Sequence, residues 1–218
     1  MNWLVWAEFL QSYYIIPFGM FILVTYIGYR FYLKYITPAK NLNTQLESAI
    51  SALKKVEEHS GFNKNSLDSI FENGTPLKHA WLNYKNSFHD IYETVDGEDV
   101  LVSSRATVSS DVFFSQAVIV DTPLRVEFYK HLPGIITGVG IIATFAGLLF
   151  GLLAFDPAGD PAKVQDSLGL LLGGVSEAFM ASALAIGTAM IITWREKSWL
   201  RQCYEQLETL TTEINKLF

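Results

Sequence analysis

Residues 167–194 read SLGLLLGGVSEAFMASALAIGTAMIITW, an apolar stretch long enough to cross a bilayer as a helix, with Glu177 its only charged side chain. An ionisable group at membrane depth costs several kcal/mol, so its default reading is functional, with the carboxylate facing a helix interface or a wet path rather than lipid. The competing reading is a carboxylate that pairs inside a bundle and only sets packing. Gly169, Gly173, Ala181 and Thr188 lie at helical spacing from Glu177. Residues this small let neighbouring helices approach closely, which points to an assembled transmembrane bundle.

Two more stretches pass the same length test, Phe9 to Tyr29 and Leu132 to Phe155, and neither carries a charge. Half the chain is hydrophobic, which suits an integral membrane protein with a soluble part, and the net charge of −6 argues against a nucleic-acid partner. The single cysteine, Cys203, excludes an internal disulfide framework. Glu8 precedes the first stretch, whereas Arg30, Lys34 and Lys40 follow it, the reverse of a signal peptide. By the positive-inside rule the N-terminus lies outside, with Trp3, Trp6, Tyr13 and Tyr14 as an outer aromatic belt. Arg125 and Lys130 before the second span, and Arg195, Lys197 and Arg201 after the third, agree with that orientation. So do the acidic residues Asp156, Asp160 and Asp166 between the spans, where Pro157, Gly159 and Pro161 break the helices.

The expected fold is an all-α membrane protein whose three transmembrane helices extend into a helical cytoplasmic domain. Its parts are an N-terminal segment with the first span (1–36), a cytoplasmic helical domain (37–130), a second span (131–155), an outer hairpin (156–166), a third span (167–194) and a cytoplasmic helix that begins a tail (195–218). In the cytoplasmic domain Leu42, Leu46, Ile50, Leu53 and Val56 recur at three- and four-residue intervals, so that helix should pack on one face. A turn-rich stretch follows, then a helical piece around Trp81 to Tyr92. The run from Val100 to Val120 is ambiguous between a β-hairpin and an irregular lead-in. At the C-terminal end Leu200, Cys203, Leu207, Leu210, Ile214 and Leu217 form a heptad seam that meets no Gly or Pro stop. That pattern fits a helix that continues as a coiled coil, or one that closes against its neighbours.

Several chemistries are set aside. Gly138, Gly140 and Ala143 imitate a dinucleotide fingerprint but lie inside a span with no preceding strand. There is no phosphate loop and no nucleophile elbow, the four histidines are scattered, and no enzyme activity is expected. Asp90 and Glu93 would share a helical face, with Asp96, Glu98 and Asp99 close behind, a cluster of the kind that holds calcium; a solvated acidic face is the commoner outcome. In the second span Gly140, Thr144, Gly147 and Gly151 form one stripe suited to close helix contact, with one hydroxyl inside it. Thr144 either lines a path or bonds back to the carbonyl of Gly140. Ser182 lies five residues from Glu177, about 140° around the helix, so the two serve different faces.

These residues carry a resemblance. Pro133 followed by Gly140-Ile-Ile-Ala-Thr144-Phe-Ala-Gly147, and Ser176-Glu177-Ala178 through Ser182-Ala183, are similar to the motifs of the MotA, TolQ and ExbB proton-channel family. Ser182 stands where that family usually has Thr, and Ile191 where it often has Pro. Asp111-Val-Phe-Phe-Ser115 and the long C-terminal helix look most like the branch that serves the Zorya anti-phage defence system. The resemblance implies a homopentamer in the lipid of a bacterial inner membrane, N-terminus periplasmic and C-terminus cytoplasmic. The ring would enclose a dimer of a partner of the ZorB, MotB, TolR or ExbD kind, whose single transmembrane helix carries the acidic proton acceptor. Thr144 and Ser182 would be polar way stations, with Glu177 in the subunit interface or path, and Gly140, Gly147, Gly151 and Gly173 would pack the helices. Motion would pass to the tail and to cytoplasmic effector proteins. The alternatives are an energiser of envelope transport like TolQ and ExbB, and a passive scaffold that recruits cytoplasmic partners. A solute transporter fits poorly, since three spans without broken repeats make a poor site.

Overall fold

A computed structural model describes residues 15–58, 64–71, 75–95, 98–157 and 160–217, of which 15–17, 57–58, 64–66, 75, 90–95 and 98–104 are described by their backbone alone. Helices α1 (Ile15–Phe31), α2 (Thr37–Glu58), α3 (Lys64–Phe71) and α4 (Thr75–Lys85) precede a hairpin of β1 (Phe88–Val95) and β2 (Glu98–Ala106). Then come a π-helical turn at Ala117–Asp121, the short α5 (Thr122–Leu124), α6 (Val126–Ala154) and α7 (Pro161–Leu217). The all-α class holds, with this one two-stranded antiparallel hairpin among the described residues. The expected aromatic belt at Trp3, Trp6, Tyr13 and Tyr14 lies outside the described residues.

The chain divides into two compact units. One holds the described residues up to Leu33 together with Phe128–Glu196; the other holds Lys34–Glu127 and Lys197–Phe218. In the first unit, α6 and α7 are long and apolar enough to cross a membrane, and only 22% and 28% of their most apolar windows are buried. Ile142, Phe145 and Leu153 on α6, and Phe179, Met190 and Trp194 on α7, are largely exposed. A soluble protein does not leave so much contiguous apolar surface in water, so these helices associate with a membrane. The first expected span is helical over Ile15–Phe31, 17 residues, and the rest of that stretch lies outside the described residues. Met20, Val24 and Phe31 form its buried side, and Phe31 meets Tyr129 of α6 edge-on at 5.7 Å.

The second unit has an apolar core of its own. The expected face of α2 is buried at Leu42, Leu46, Ile50 and Leu53, with Val56 at its edge. It shares the core with an aromatic cluster in which Phe71 stacks on Trp81 at 4.8 Å and Tyr84 meets Phe88 edge-on at 4.8 Å. Trp81 cannot bury its indole N–H unpaired, and donates it to Asp68 at 2.8 Å, which Lys85 also approaches. Burial, then the negative charge of Asp111, pushes the Tyr84 phenol up to about 12.

The helix expected around Trp81 to Tyr92 is corrected. α4 ends at Lys85, and the Ser87 hydroxyl closes it by donating to the Tyr84 carbonyl at 2.6 Å. The chain then runs as β1, in register with β2 from Phe88↔Ala106 to Val95↔Glu98. The Ser87 carbonyl accepts from the Thr107 hydroxyl at 2.7 Å and from its N–H at 3.3 Å, extending the pairing past the hairpin end. Cross-strand pairing outweighs a weak local helical pattern.

The heptad seam of α7 resolves as closure against neighbours. Leu200, Cys203, Leu207, Leu210 and Ile214 are all buried within the second unit of a single chain. Burial of the seam within one chain favours closure over a coiled coil at these residues. Polar contacts fix the same helix. The Tyr204 hydroxyl donates to Asp121 at 2.5 Å, the Ser110 N–H to the Asn215 side chain at 3.0 Å, and the Ser110 hydroxyl to the Thr211 carbonyl at 3.2 Å. Hydrogen bonds from Ser109, Thr211 and Asn215 hold the exposed Asp111 carboxyl below its usual range, Ser109 contributing most.

Cys203 provides a check on this closure. Its thiol is fully buried against the Ala39 carbonyl, and burial pushes it up to about 11. At pH 7 about one thiol in ten thousand is then the reactive thiolate. Cys203 in the folded protein is therefore expected to resist maleimide at neutral pH and to react at the free-thiol rate only after unfolding, as read by mass spectrometry. Rapid labelling of folded protein would show that α7 is not closed here.

Candidate functional site in the membrane helices

The site is built on how closely α6 and α7 approach. A Cβ on Gly147 would lie 2.5 Å from the Cβ of Ala178 and 3.2 Å from the Gly174 carbonyl oxygen; one on Gly140 would lie 2.7 Å from the Cβ of Ala185. On Gly151 it would meet Leu171, its side chain at 3.1 Å and its carbonyl at 3.3 Å. Contacts this short leave no space for a side chain, so the expected stripe at Gly140, Gly147 and Gly151 is the seam of an antiparallel pair. From α7 the seam is supplied by Ala178, Ala181 and Ala185, all fully buried. The α7 glycine facing it is Gly174, whose Cβ would lie 3.3 Å from the Gly147 carbonyl. Gly169, at helical spacing from Glu177, meets nothing within 4 Å. In lipid there is no hydrophobic drive between helices, so this packing is what holds the pair together.

Thr144, Ser182 and Glu177 flank the seam. Thr144 donates its hydroxyl to the Gly140 carbonyl at 3.1 Å and Ser182 to the Phe179 carbonyl at 3.0 Å, so both satisfy themselves against their own helix. Each oxygen keeps lone pairs free to accept. Glu177 is partly exposed and has no partner among the described residues. At about 100° per residue, Glu177 and Ser182 lie on opposite sides of the α7 seam line. The antiparallel register, in which Gly140 meets Ser182 and Ala185 while Gly147 meets Gly174 and Ala178, puts Thr144 on the Ser182 side. One flank thus carries Thr144 and Ser182; the other carries the Glu177 carboxylate, with Thr188 three turns further along α7, beside the small residues Ala143 and Ala146 of α6.

Asp90 and Glu93 fall on β1, where their partners in register are Ser104 and Val100. The one-turn helical spacing that grouped them is absent, and their side chains lie outside the described residues. No group of three or more His, Cys, Asp or Glu suited to a metal ion occurs among the described residues.

The family model described as "Anti-phage protein ZorA, Zorya type I system" matches residues 1–218. Zorya protein ZorA of Escherichia coli O139:H28 (strain E24377A / ETEC) is 41% identical over 206 residues, covering 94% of this chain and 28% of that protein. The chain therefore spans less than a third of the length of that relative.

Proposed function

Because this chain belongs to the ZorA-like family of anti-phage proteins, we propose that it is the ring-forming membrane subunit of a proton-driven motor that powers anti-phage defence. What supports this reading is the division of the tight α6–α7 pair into a hydroxyl flank and a carboxylate flank. A rigid two-helix stave with different chemistry on its two sides suits a ring. One side lines the centre and the other meets the neighbouring copy.

In this reading five copies enclose two single-span helices of a partner, each with an acidic proton acceptor, in the inner membrane with N-termini periplasmic and C-termini cytoplasmic. Thr144 and Ser182 face the partner. Glu177, beside Ala143 and Ala146, sits at the contact between copies. Protonation removes the desolvation penalty of the partner's carboxylate and lets it pass to the next ring position. A proton falling through about 150 mV supplies roughly 3.5 kcal/mol, sufficient for a step. The burial of Leu200 to Ile214 supports delivery of the motion through the folded cytoplasmic unit to effector proteins.

The test is proton flux into vesicles holding the full-length protein and its partner subunit. Intact flux in a Glu177→Ala, Thr144→Ala, Ser182→Ala triple variant would leave a passive membrane scaffold as the better reading. Thr144→Ser is expected to keep flux within about twofold, whereas Thr144→Val, which keeps the volume and removes the hydroxyl, should lower it about tenfold or more, roughly the worth of one lost hydrogen bond on the path. Equal flux in the Val variant would make Thr144 a packing residue.

A further inference from the structure

The hydroxyl flank does not end at Thr144 and Ser182. Thr137 lies seven residues before Thr144 on α6, two helical turns, and Thr193 lies eleven residues after Ser182 on α7, three turns. Whole turns return a side chain to the same azimuth, so all four hydroxyls stand on one flank of the pair. Because the helices are antiparallel, stepping back along α6 and forward along α7 moves both added residues toward the same end, where α6 begins and α7 leaves the first unit. At about 1.5 Å of rise per residue, the four hydroxyls are spaced along the pair in steps of roughly 3, 7 and 9 Å. Thr137 and Thr193 bond back as the other two do, to the carbonyls of Pro133 at 3.0 Å and Ala189 at 2.8 Å, so each oxygen presents acceptor capacity outward.

Toward the opposite end the flank changes. No hydroxyl follows Thr144 on α6 as far as Ala154, and in the facing stretch of α7, 168–180, the one hydroxyl is Ser176, which is exposed and about 160° around the helix from the seam residue Ala178. The polar row is therefore one-sided.

Resting on the motor reading above, we propose that Thr137, Thr144, Ser182 and Thr193 form the exit half of the ion path, running from mid-membrane to the cytoplasmic end, and that the entry half is supplied by the partner. The spacing also assigns the ion. Binding a dehydrated sodium ion requires several oxygens around one point, whereas these are strung out at intervals that one to three waters bridge. A row of this kind passes protons along water held by successive acceptors. Thr137 and Thr193 act as positioning residues for that water.

The experiment uses the full-length protein reconstituted with its partner subunit in vesicles, with internal pH read by a dye under an imposed proton gradient in sodium-free buffer. Thr137→Val and Thr193→Val are each expected to lower flux about tenfold, while Thr137→Ser and Thr193→Ser stay within about twofold, with ring assembly unchanged by size-exclusion chromatography. Flux within twofold of wild type in both Val variants, or equal loss in the Ser variants, would overturn the exit row while leaving the motor reading intact. Flux that appears only when sodium is added would overturn the proton assignment. No flux in the wild type under either cation would bring down the motor reading and this row with it.

Discussion

Gly147→Val is expected to prevent the membrane unit from folding, and Gly147→Ala to destabilise it by about 1–3 kcal/mol through overpacking. The first added carbon would lie 2.5 Å from Ala178 and 3.2 Å from a backbone carbonyl, and neither can rotate aside. The helices must then separate, which forfeits contact along the whole seam, and in lipid nothing else drives them back together. Thermal-aggregation midpoints in detergent measure the loss. Two comparisons isolate the cause. Gly138→Ala, on the same helix with nothing within 4 Å, should be close to neutral. Adding Ala178→Gly to Gly147→Ala removes the opposing methyl and should recover most of the loss. A Gly147→Val protein as stable as wild type would mean that α6 and α7 do not pack through this seam.

Leu210→Ala is expected to cost about 2–5 kcal/mol and Leu207→Ala a similar amount, as for buried leucines generally, so the double variant should unfold the second unit. Both are buried within one chain, at 0% and 2% exposure. If the seam were instead a coiled-coil strip joining several copies, the variants would weaken assembly and leave each protomer intact. Hydrogen exchange on protein dispersed in detergent separates the two cases. Closure predicts lost protection across α2 and the 197–217 part of α7, independent of protein concentration, with Thr209→Ala on the exposed face as a silent control. Protection that depends on concentration would restore the coiled-coil reading.

Much of the site was legible in residue order, because membrane helices obey few rules and obey them strictly. The stripe at Gly140, Gly147 and Gly151 is recognisable since only glycine permits backbones to touch, and the opposed azimuths of Glu177 and Ser182 follow from a helical period alone. The approach of Gly174 to the Gly147 carbonyl shows where such reading stops. Two adjacent glycines differ by about 100° in azimuth, and only the facing helix decides which one is at the seam. The first strand of the hairpin at Phe88–Ala106 has a helical local pattern for a related reason, since a strand is stabilised by a partner that local periodicity does not contain. The extension of the hydroxyl row to Thr137 and Thr193 had a sequence signal, spacings of seven and eleven, but it acquires meaning only once the two helices are known to be antiparallel and in register.

What the sequence by itself determined is the membrane helices, the side of each that is small or polar, and the amphipathic face of α2, because these depend on the period of a single helix and on the cost of placing charge in lipid. What only the tertiary structure decided is what each face meets: that Gly174 closes on Gly147, that Thr144 and Ser182 share a flank, and that the heptad seam from Leu200 to Ile214 closes on its own chain. An apolar stripe has the same pattern whether its partner is a neighbouring copy or the same polypeptide, since burial stabilises both equally and the identity of the partner is set by the path of the rest of the chain.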